Sequence, residues 1–150
     1  MSSVHSEHAL SLVMAARRWI GTPYVHQASL CQVGCDCLGL VRGVWREVIG
    51  AEPERPGPYT PDWSESSRDE RMLRAALRYF TPRPNREIEA GDILLFRWRA
   101  NAPAKHVAIA SSATSMIHAH DGACVCEVAL APFWKRKLAG VFVFPARFNG

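Results

Sequence analysis

The hydrophobic pattern of the chain changes from helical to strand-like spacing at Gly91. Upstream, apolar residues recur at helical spacing over 9–20 and from Cys37 to Gly50, and a third helix is predicted after the capping-box sequence Ser67–Glu70. The predicted inward face of that third helix comprises Met72, Leu73, Ala76, Leu77 and Phe80. Downstream, five short segments read as strands: 92–98, 106–111, 115–120, 123–130 and 140–146. Helices followed by strands predict an α+β fold whose central helix packs on an antiparallel sheet.

The composition is that of one globular domain spanning residues 1–150. The chain is 48% hydrophobic and 21% charged, with a formal net charge of +4. Its basic residues are scattered, which does not favour nucleic-acid binding but suits a substrate rich in carboxylates. No segment approaches the about 18 consecutive apolar residues of a membrane span.

The apolar segment 9–16 superficially resembles a secretion signal. Acidic and histidine residues precede it, and it continues directly into Arg17-Arg18, so we expect an amphipathic helix instead. The expectation is therefore synthesis in the cytoplasm without a signal peptide, with another route for any action outside it.

Five cysteines are candidates for chemistry: Cys31, Cys35, Cys37, Cys124 and Cys126. This odd number, without an export signal, argues against a disulfide framework. Asp36 is a good N-cap residue, which places Cys37 at the first position of a helix. Free N–H groups and the helix dipole there are expected to lower the pKa of the thiol and to bind an oxyanion.

Three histidines lie on two of the predicted strands. His106 shares a strand face with Ala108 and Ala110, whereas His118 and His120 share a face of the next strand. If these strands form a hairpin, one histidine can act as base toward Cys37 while the second orients it.

Other interpretations of these residues remain open. Cys37 could be a small buried residue and the histidines polar strand ends. The cysteines and histidines could also assemble a zinc site, although paired cysteines at C-x-C spacing differ from the usual knuckle. A thioredoxin-like redox pair is disfavoured by the same spacing.

The stretch WIGTPYVHQASLCQVGCDCLGLVRGVW, residues 19–45, is followed in order by GDILLF, HVAIA and MIHAH. This series resembles the NlpC/p60 family of papain-like cell-wall cysteine peptidases over about residues 17–122. The resemblance implies a papain-like α+β fold, with Cys37 as nucleophile, His106 as general base and His118 as the third catalytic residue.

The resemblance extends to further residues and to the substrate. It implies that Tyr24 and Asp36 are oxyanion or substrate-binding residues, while His120 matches no catalytic position and stays an alternative orienter. The implied reaction is hydrolysis of the peptide stem of bacterial peptidoglycan, typically at the D-γ-glutamyl-diaminopimelate bond. Neither a metal nor another cofactor is implied.

Leu38 gives the motif the form DCLGL, where cellular members mostly carry serine. This form looks like the branch found beside phage and gene-transfer-agent tail genes. It implies tail proteins as partners and action on the cell wall in the periplasm during particle entry. A structural or wall-binding tail component with little or no hydrolytic activity is the alternative.

Overall fold

The computed structural model describes residues 3–57 and 69–146, with side chains from residue 6 onward. The helical part comprises α1 (Ser3–Arg17), α2 (Cys37–Val44), a π-helical turn (Trp45–Ile49) and α3 (Arg71–Tyr79). Two short strands, β1 (Ser29–Leu30) and β2 (Gly34–Cys35), form an antiparallel ribbon before α2. The remaining elements are β3 (Thr81–Pro82), β4 (Ile93–Phe96), β5 (His106–Ser112), β6 (Ser115–His118), β7 (Cys126–Ala129), α4 (Pro132–Lys137) and β8 (Leu138–Val143).

Six strands form one sheet in the order β3-β8-β4-β5-β6-β7, and every neighbouring pair is antiparallel. The predicted α+β class, with helices first and an antiparallel sheet after them, is confirmed. The outermost described strands are β3, which has two residues and includes Pro82, and β7, in which Glu127 pairs with Arg17 of α1 at 3.0 Å.

The sheet separates two apolar clusters. Leu40 and Val44 of α2 pack with Ile109 in the larger cluster, so the central helix lies on the sheet as predicted. Ala108 and Ala110 belong to the smaller cluster on the other face. This division follows from the alternation of side chains along β5, because successive residues point to opposite faces.

The third helix differs from the prediction. Ser67 lies outside the described residues, and the side chain of Glu70 does not cap α3; its carboxylate accepts from the N–H of Ala104 (2.8 Å) and from Arg97 (2.6 Å). Met72 is buried, but Leu77 is 54% exposed, so its inward assignment was wrong. Each residue turns the helix by about 100°, so Leu77 lies about 140° round from Met72, at the margin of a narrow buried stripe.

Other boundaries also shift. α1 covers residues 3–17 where the pattern predicted 9–20, and the strands are mostly shorter than predicted. The short helix α4 was not predicted, because six residues are too few to display a helical period. Across residues 3–57 and 69–146, none of the helices combines the length and apolar character needed to cross a bilayer.

Gly39, in the first turn of α2, provides a test of this packing. A methyl group at this position would overlap the carbonyl oxygen of Ala28, which accepts from the N–H of Asp36 at 3.3 Å and so resists displacement. We expect Gly39→Ala to lower the free energy of unfolding by about 1–3 kcal/mol in urea denaturation. Alanine has a higher helix propensity than glycine, so propensity alone would raise the free energy of unfolding. A decrease would therefore show that the overlap with Ala28 outweighs propensity.

The matched control is Gly57→Ala, because a methyl group on Gly57 meets no atom of residues 3–57 or 69–146 within 4 Å. This control should change the free energy of unfolding by less than about 0.5 kcal/mol. Equal stability of the two variants would contradict the close approach of α2 to Ala28.

Candidate active site

Asp36 caps α2 as the sequence predicted. Its Oδ1 accepts from the N–H of Gly39 at 2.7 Å, and its Oδ2 accepts from the N–H of Gln27 at 2.8 Å. Cys37 therefore occupies the first position of the helix. Asp36 is only 1% exposed and both carboxylate oxygens accept from backbone N–H groups, so its side chain holds the start of α2. Its expected role in oxyanion or substrate binding stays a prediction.

Tyr24 lies beside the segment that carries Cys37. It forms a backbone bridge with Cys35, and its half-buried ring packs against the larger cluster. Burial raises the pKa of the Tyr24 phenol, and the neighbouring Cys37 and Asp36 raise it further. The phenol is therefore a neutral O–H group at the edge of the site, where it can donate a hydrogen bond.

Cys37 is 5% exposed, and its sulfur faces the backbone N–H of Val107 in β5. Burial raises the pKa of the thiol to about 12 and the charge of Asp36 adds to this rise, while N–H groups of Val107, Leu38 and Cys37 oppose it. The expectation of a lowered pKa was wrong for this structure, because desolvation outweighs the helix N-terminus.

His106 and His118 form a hydrogen-bonded pair. Nε2 of His106 lies 2.9 Å from Nδ1 of His118, and both rings are buried. His106 immediately precedes Val107, so the sulfur of Cys37 lies beside the peptide bond that joins these two residues. Burial lowers the pKa of His106 well below its usual range, and burial lowers that of His118 to about 4, with the neighbouring histidines contributing to both shifts. Both rings are neutral near pH 7.

His120, the alternative orienter, occupies a different position. Its side chain is exposed, with ring centroids 5.7 Å from His106 and 5.8 Å from His118. The hydrogen-bond partner of Nε2 of His106 is Nδ1 of His118. The structure thus brings His118 into contact with the predicted base and leaves His120 at the solvent-facing side of the cluster, while the orienting role stays a prediction.

Two tryptophans pack on the histidines, and the sequence analysis did not assign them to the site. The ring of His106 stacks on Trp98 (5.5 Å, 26°) and on Trp134 (5.7 Å, 29°). Trp98 lies two residues after Phe96, the β4 residue that pairs with His106. Because side chains alternate along a strand, Trp98 is expected on the same face as Phe96, and this pattern could have assigned it to the site. Trp134 lies on the unpredicted helix α4, so no local pattern pointed to it.

A groove of about 420 Å³ begins beside the site, where Leu38 and Val107 form part of its wall. It continues between α2 and α3 above β4. Among the described residues, its charged lining comprises Arg42, Arg55, Arg71, Arg74, Arg78, Glu52 and Glu54. Arg42 and Arg78 form ion pairs with Glu52 and Glu54, and Arg74 pairs with Asp69. Arg55 and Arg71 add to this lining, so its described part keeps a positive balance of charge, which favours an anionic ligand.

The cysteine-containing zinc site considered from the sequence is not assembled. One ring nitrogen from each of His106, His118 and His120 lies within 4.8 Å of the other two. Among the described residues, no cysteine joins this group, and all five cysteines are free.

Solved structures with this fold were found by comparison. The NlpC/p60 domain of the peptidoglycan hydrolase SagA is 26% identical, with a TM-score of 0.62, over 91% of this chain and 98% of that one. An NLP/P60 family protein from Staphylococcus aureus subsp. aureus Mu50, described as similar to lipoprotein, is 21% identical with a TM-score of 0.65. That match covers 95% of this chain but only 42% of the staphylococcal one.

A third structure is the peptidoglycan hydrolase RipB from Mycobacterium tuberculosis, at 19% identity and a TM-score of 0.57, over 99% of this chain and 69% of that one. No curated protein matches the chain. The fold is the papain-like α+β fold of these domains. The model of the NlpC/P60 family matches residues 21–143. The chain belongs to the NlpC/P60 family.

Proposed function

We propose that this protein is a cysteine peptidase that hydrolyses the peptide stem of bacterial peptidoglycan. The observation that carries the proposal lies at the start of β5: the sulfur of Cys37 faces the N–H of Val107, and the adjacent His106 is hydrogen-bonded to His118. A thiol, a base and an orienting group make up the catalytic unit of such enzymes. Two of the structures compared above are named peptidoglycan hydrolases, which supports the substrate class.

The hydrogen bond with His118 occupies Nε2 of His106, which supports Nδ1 as the nitrogen that acts as base. When Nε2–H of His106 donates to Nδ1 of His118, the lone pair of the neutral His106 ring is on Nδ1. As the sulfur of Cys37 attacks the substrate carbonyl, its proton passes to this Nδ1. The charge then forms only in the transition state, because the resting thiol and imidazole are both neutral.

The remaining steps balance as in other acyl transfers. The carbonyl oxygen becomes an oxyanion that receives hydrogen bonds from N–H groups at the start of α2. His106 donates its proton to the leaving amine, which leaves a thioester on Cys37. Water attacks the thioester with His106 as base, and the products are the free carboxylic acid and the restored thiol.

The finer substrate proposal is the D-γ-glutamyl-diaminopimelate bond. The family resemblance supports this bond, and the basic groove beside Leu38 and Val107 supports a substrate that carries carboxylates. Peptide stems with free carboxylates are anionic, so the guanidinium groups of that groove would attract them.

The first test is mass spectrometry of purified sacculi and diaminopimelate-containing muropeptides after digestion. Cys37→Ala should abolish cleavage without unfolding the protein, whereas Cys124→Ala, at an exposed cysteine, should retain activity. His106→Ala should reduce kcat by about 10²–10⁴-fold because the general base is lost. Full cleavage by Cys37→Ala would exclude this nucleophile. A wild-type enzyme without cleavage would favour the wall-binding alternative.

The same assay separates the two candidate orienters. His118→Ala should lower kcat more than it changes KM, because His106 loses the partner that fixes its tautomer. His118→Asn, which keeps an acceptor, should recover part of the rate. If His120→Ala is the impaired variant and His118→Ala is not, the assignment of His118 is wrong.

The pKa directions predict the pH dependence of thiol alkylation. Below its raised pKa of about 12, the Cys37 thiolate fraction in the substrate-free enzyme grows with pH. Alkylation of Cys37 by iodoacetamide, mapped by peptide mass, should therefore rise about tenfold per unit between about pH 6 and pH 9. A preformed thiolate–imidazolium pair would instead give a rate that hardly varies over this range, and that result would contradict the neutral resting state.

We also propose that a phage-like or gene-transfer-agent particle carries the enzyme to the wall as a tail component. The DCLGL form with Leu38 supports this, through its resemblance to members encoded beside tail genes. Proteomics of purified particles from the producing cells should find the protein at a few copies per tail. Its recovery only outside the particle fraction would argue against tail delivery.

A further inference from the structure

The proposed reaction leaves one member of the histidine cluster unused. His106 serves as the base and His118 orients it, whereas His120 takes part in no step of the proposed mechanism. Yet one nitrogen of His120 lies within 4.8 Å of nitrogens on both other rings, and its exposed side chain connects the cluster to solvent. Three imidazoles that converge this closely match the first coordination shell of a transition-metal ion.

The spacing suits such an ion after a small adjustment. Zn²⁺ binds imidazole nitrogens at about 2.0–2.1 Å in tetrahedral geometry, which sets the nitrogens about 3.3–3.4 Å apart. Nε2 of His106 and Nδ1 of His118 are 2.9 Å apart, slightly too close, while 4.8 Å is the upper limit for the set. The buried pair is held by the rings of Trp98 and Trp134, so exposed His120 is the ligand able to move inward.

We propose that His106, His118 and His120 bind a divalent transition-metal ion, Zn²⁺ in particular, and that this ion reversibly inhibits the peptidase. The proposal of a metal site is supported by the geometry of the three histidines alone. The proposal of inhibition also rests on the proposed function.

Inhibition follows from the place of His106 in the cluster, because an ion bound there must take a lone pair of this ring. An ion in the cluster reaches His106 through Nε2, the nitrogen that faces His118. Coordination uses the lone pair of Nε2, so the ring proton must be on Nδ1 or be released to solvent. With the proton on Nδ1, the ring has no lone pair to accept the proton of Cys37. A neutral imidazole bound to a single divalent ion keeps this N–H near pH 7, so the base is blocked for as long as the ion is bound.

The donor set also selects the kind of ion. Neutral imidazoles suit Zn²⁺, Cu²⁺ and Ni²⁺, whereas Mg²⁺ and Ca²⁺ need oxygen ligands, which the three rings do not offer. Three protein ligands leave a fourth position for water, an arrangement that permits exchange with the solvent. Such an ion is an exchangeable inhibitor and does not hold the fold together.

The binding test is isothermal titration calorimetry of the full chain, stripped with EDTA, against Zn²⁺. Wild type should bind one equivalent of Zn²⁺. The His120→Ala variant should bind Zn²⁺ more than about tenfold more weakly. The control is His8→Ala, because His8 contacts the carbonyl of Pro145 and does not belong to the cluster. Mg²⁺ should give no such binding. Identical titrations of wild type and His120→Ala would overturn the proposal.

A second measurement identifies the ligand atoms. Co²⁺ in place of Zn²⁺ should give a visible spectrum without a thiolate-to-metal charge-transfer band, and this spectrum should change in His120→Ala. A charge-transfer band that disappears only when cysteines are replaced would assign the ion to thiolates and refute the histidine site.

The inhibition test compares cleavage with Zn²⁺ and after EDTA. Wild type should lose activity with Zn²⁺ and recover it with EDTA, and His120→Ala, measured against its own activity in EDTA, should need at least tenfold more Zn²⁺. Zinc bound at the cluster without loss of activity would overturn the inhibitory role. An enzyme inactive even in EDTA would refute the proposed function, while calorimetry and the Co²⁺ spectrum would still decide the metal site.

Discussion

The carboxylate of Asp36 accepts hydrogen bonds from two separate parts of the backbone, Gly39 within α2 and Gln27 ahead of the β1–β2 ribbon. Both bonds are short, and the carboxylate is removed from water, so breaking either would leave a buried donor or acceptor without its partner. The start of α2 is thereby tied to the ribbon that precedes it. The position of Cys37 and its neighbouring N–H groups follows from this single side chain, and the close contact of Gly39 with Ala28 reinforces it.

The chemistry of the site depends on the exclusion of solvent from its titratable groups. Cys37, His106 and His118 are all buried, and aromatic rings cover the histidines on the far side of the sheet. In this environment the neutral forms of thiol and imidazole are favoured until a substrate supplies the electrophile. In the proposed reaction, charge separation therefore accompanies attack on the substrate. The guanidinium groups lie along the neighbouring groove, whereas the charge of Asp36 is next to Cys37.

Local patterns in the sequence predicted the class of the fold, the cap of α2 and the positions of His106 and His118 on neighbouring antiparallel strands, whereas His120 lies beyond the end of β6 and not on it. These features depend on short-range periodicity and on residue type, which a sequence displays directly. The pKa of Cys37 was predicted with the wrong sign because desolvation is set by distant segments that pack over the sulfur. Trp134 was missed for a similar reason, since only tertiary packing brings α4 against the histidines, and Leu77 was misplaced because the packed stripe of α3 is narrow.

The two edge strands of the six-stranded sheet, β3 and β7, have features that limit association between sheets. β3 contributes only two residues, and Pro82 has no N–H to offer a further strand. β7 has four residues, and its Glu127 carries a charge held by Arg17. Short margins that carry proline or charge discourage edge-to-edge association of sheets. Many copies of this domain can therefore accumulate at high local concentration without the described strands templating aggregation.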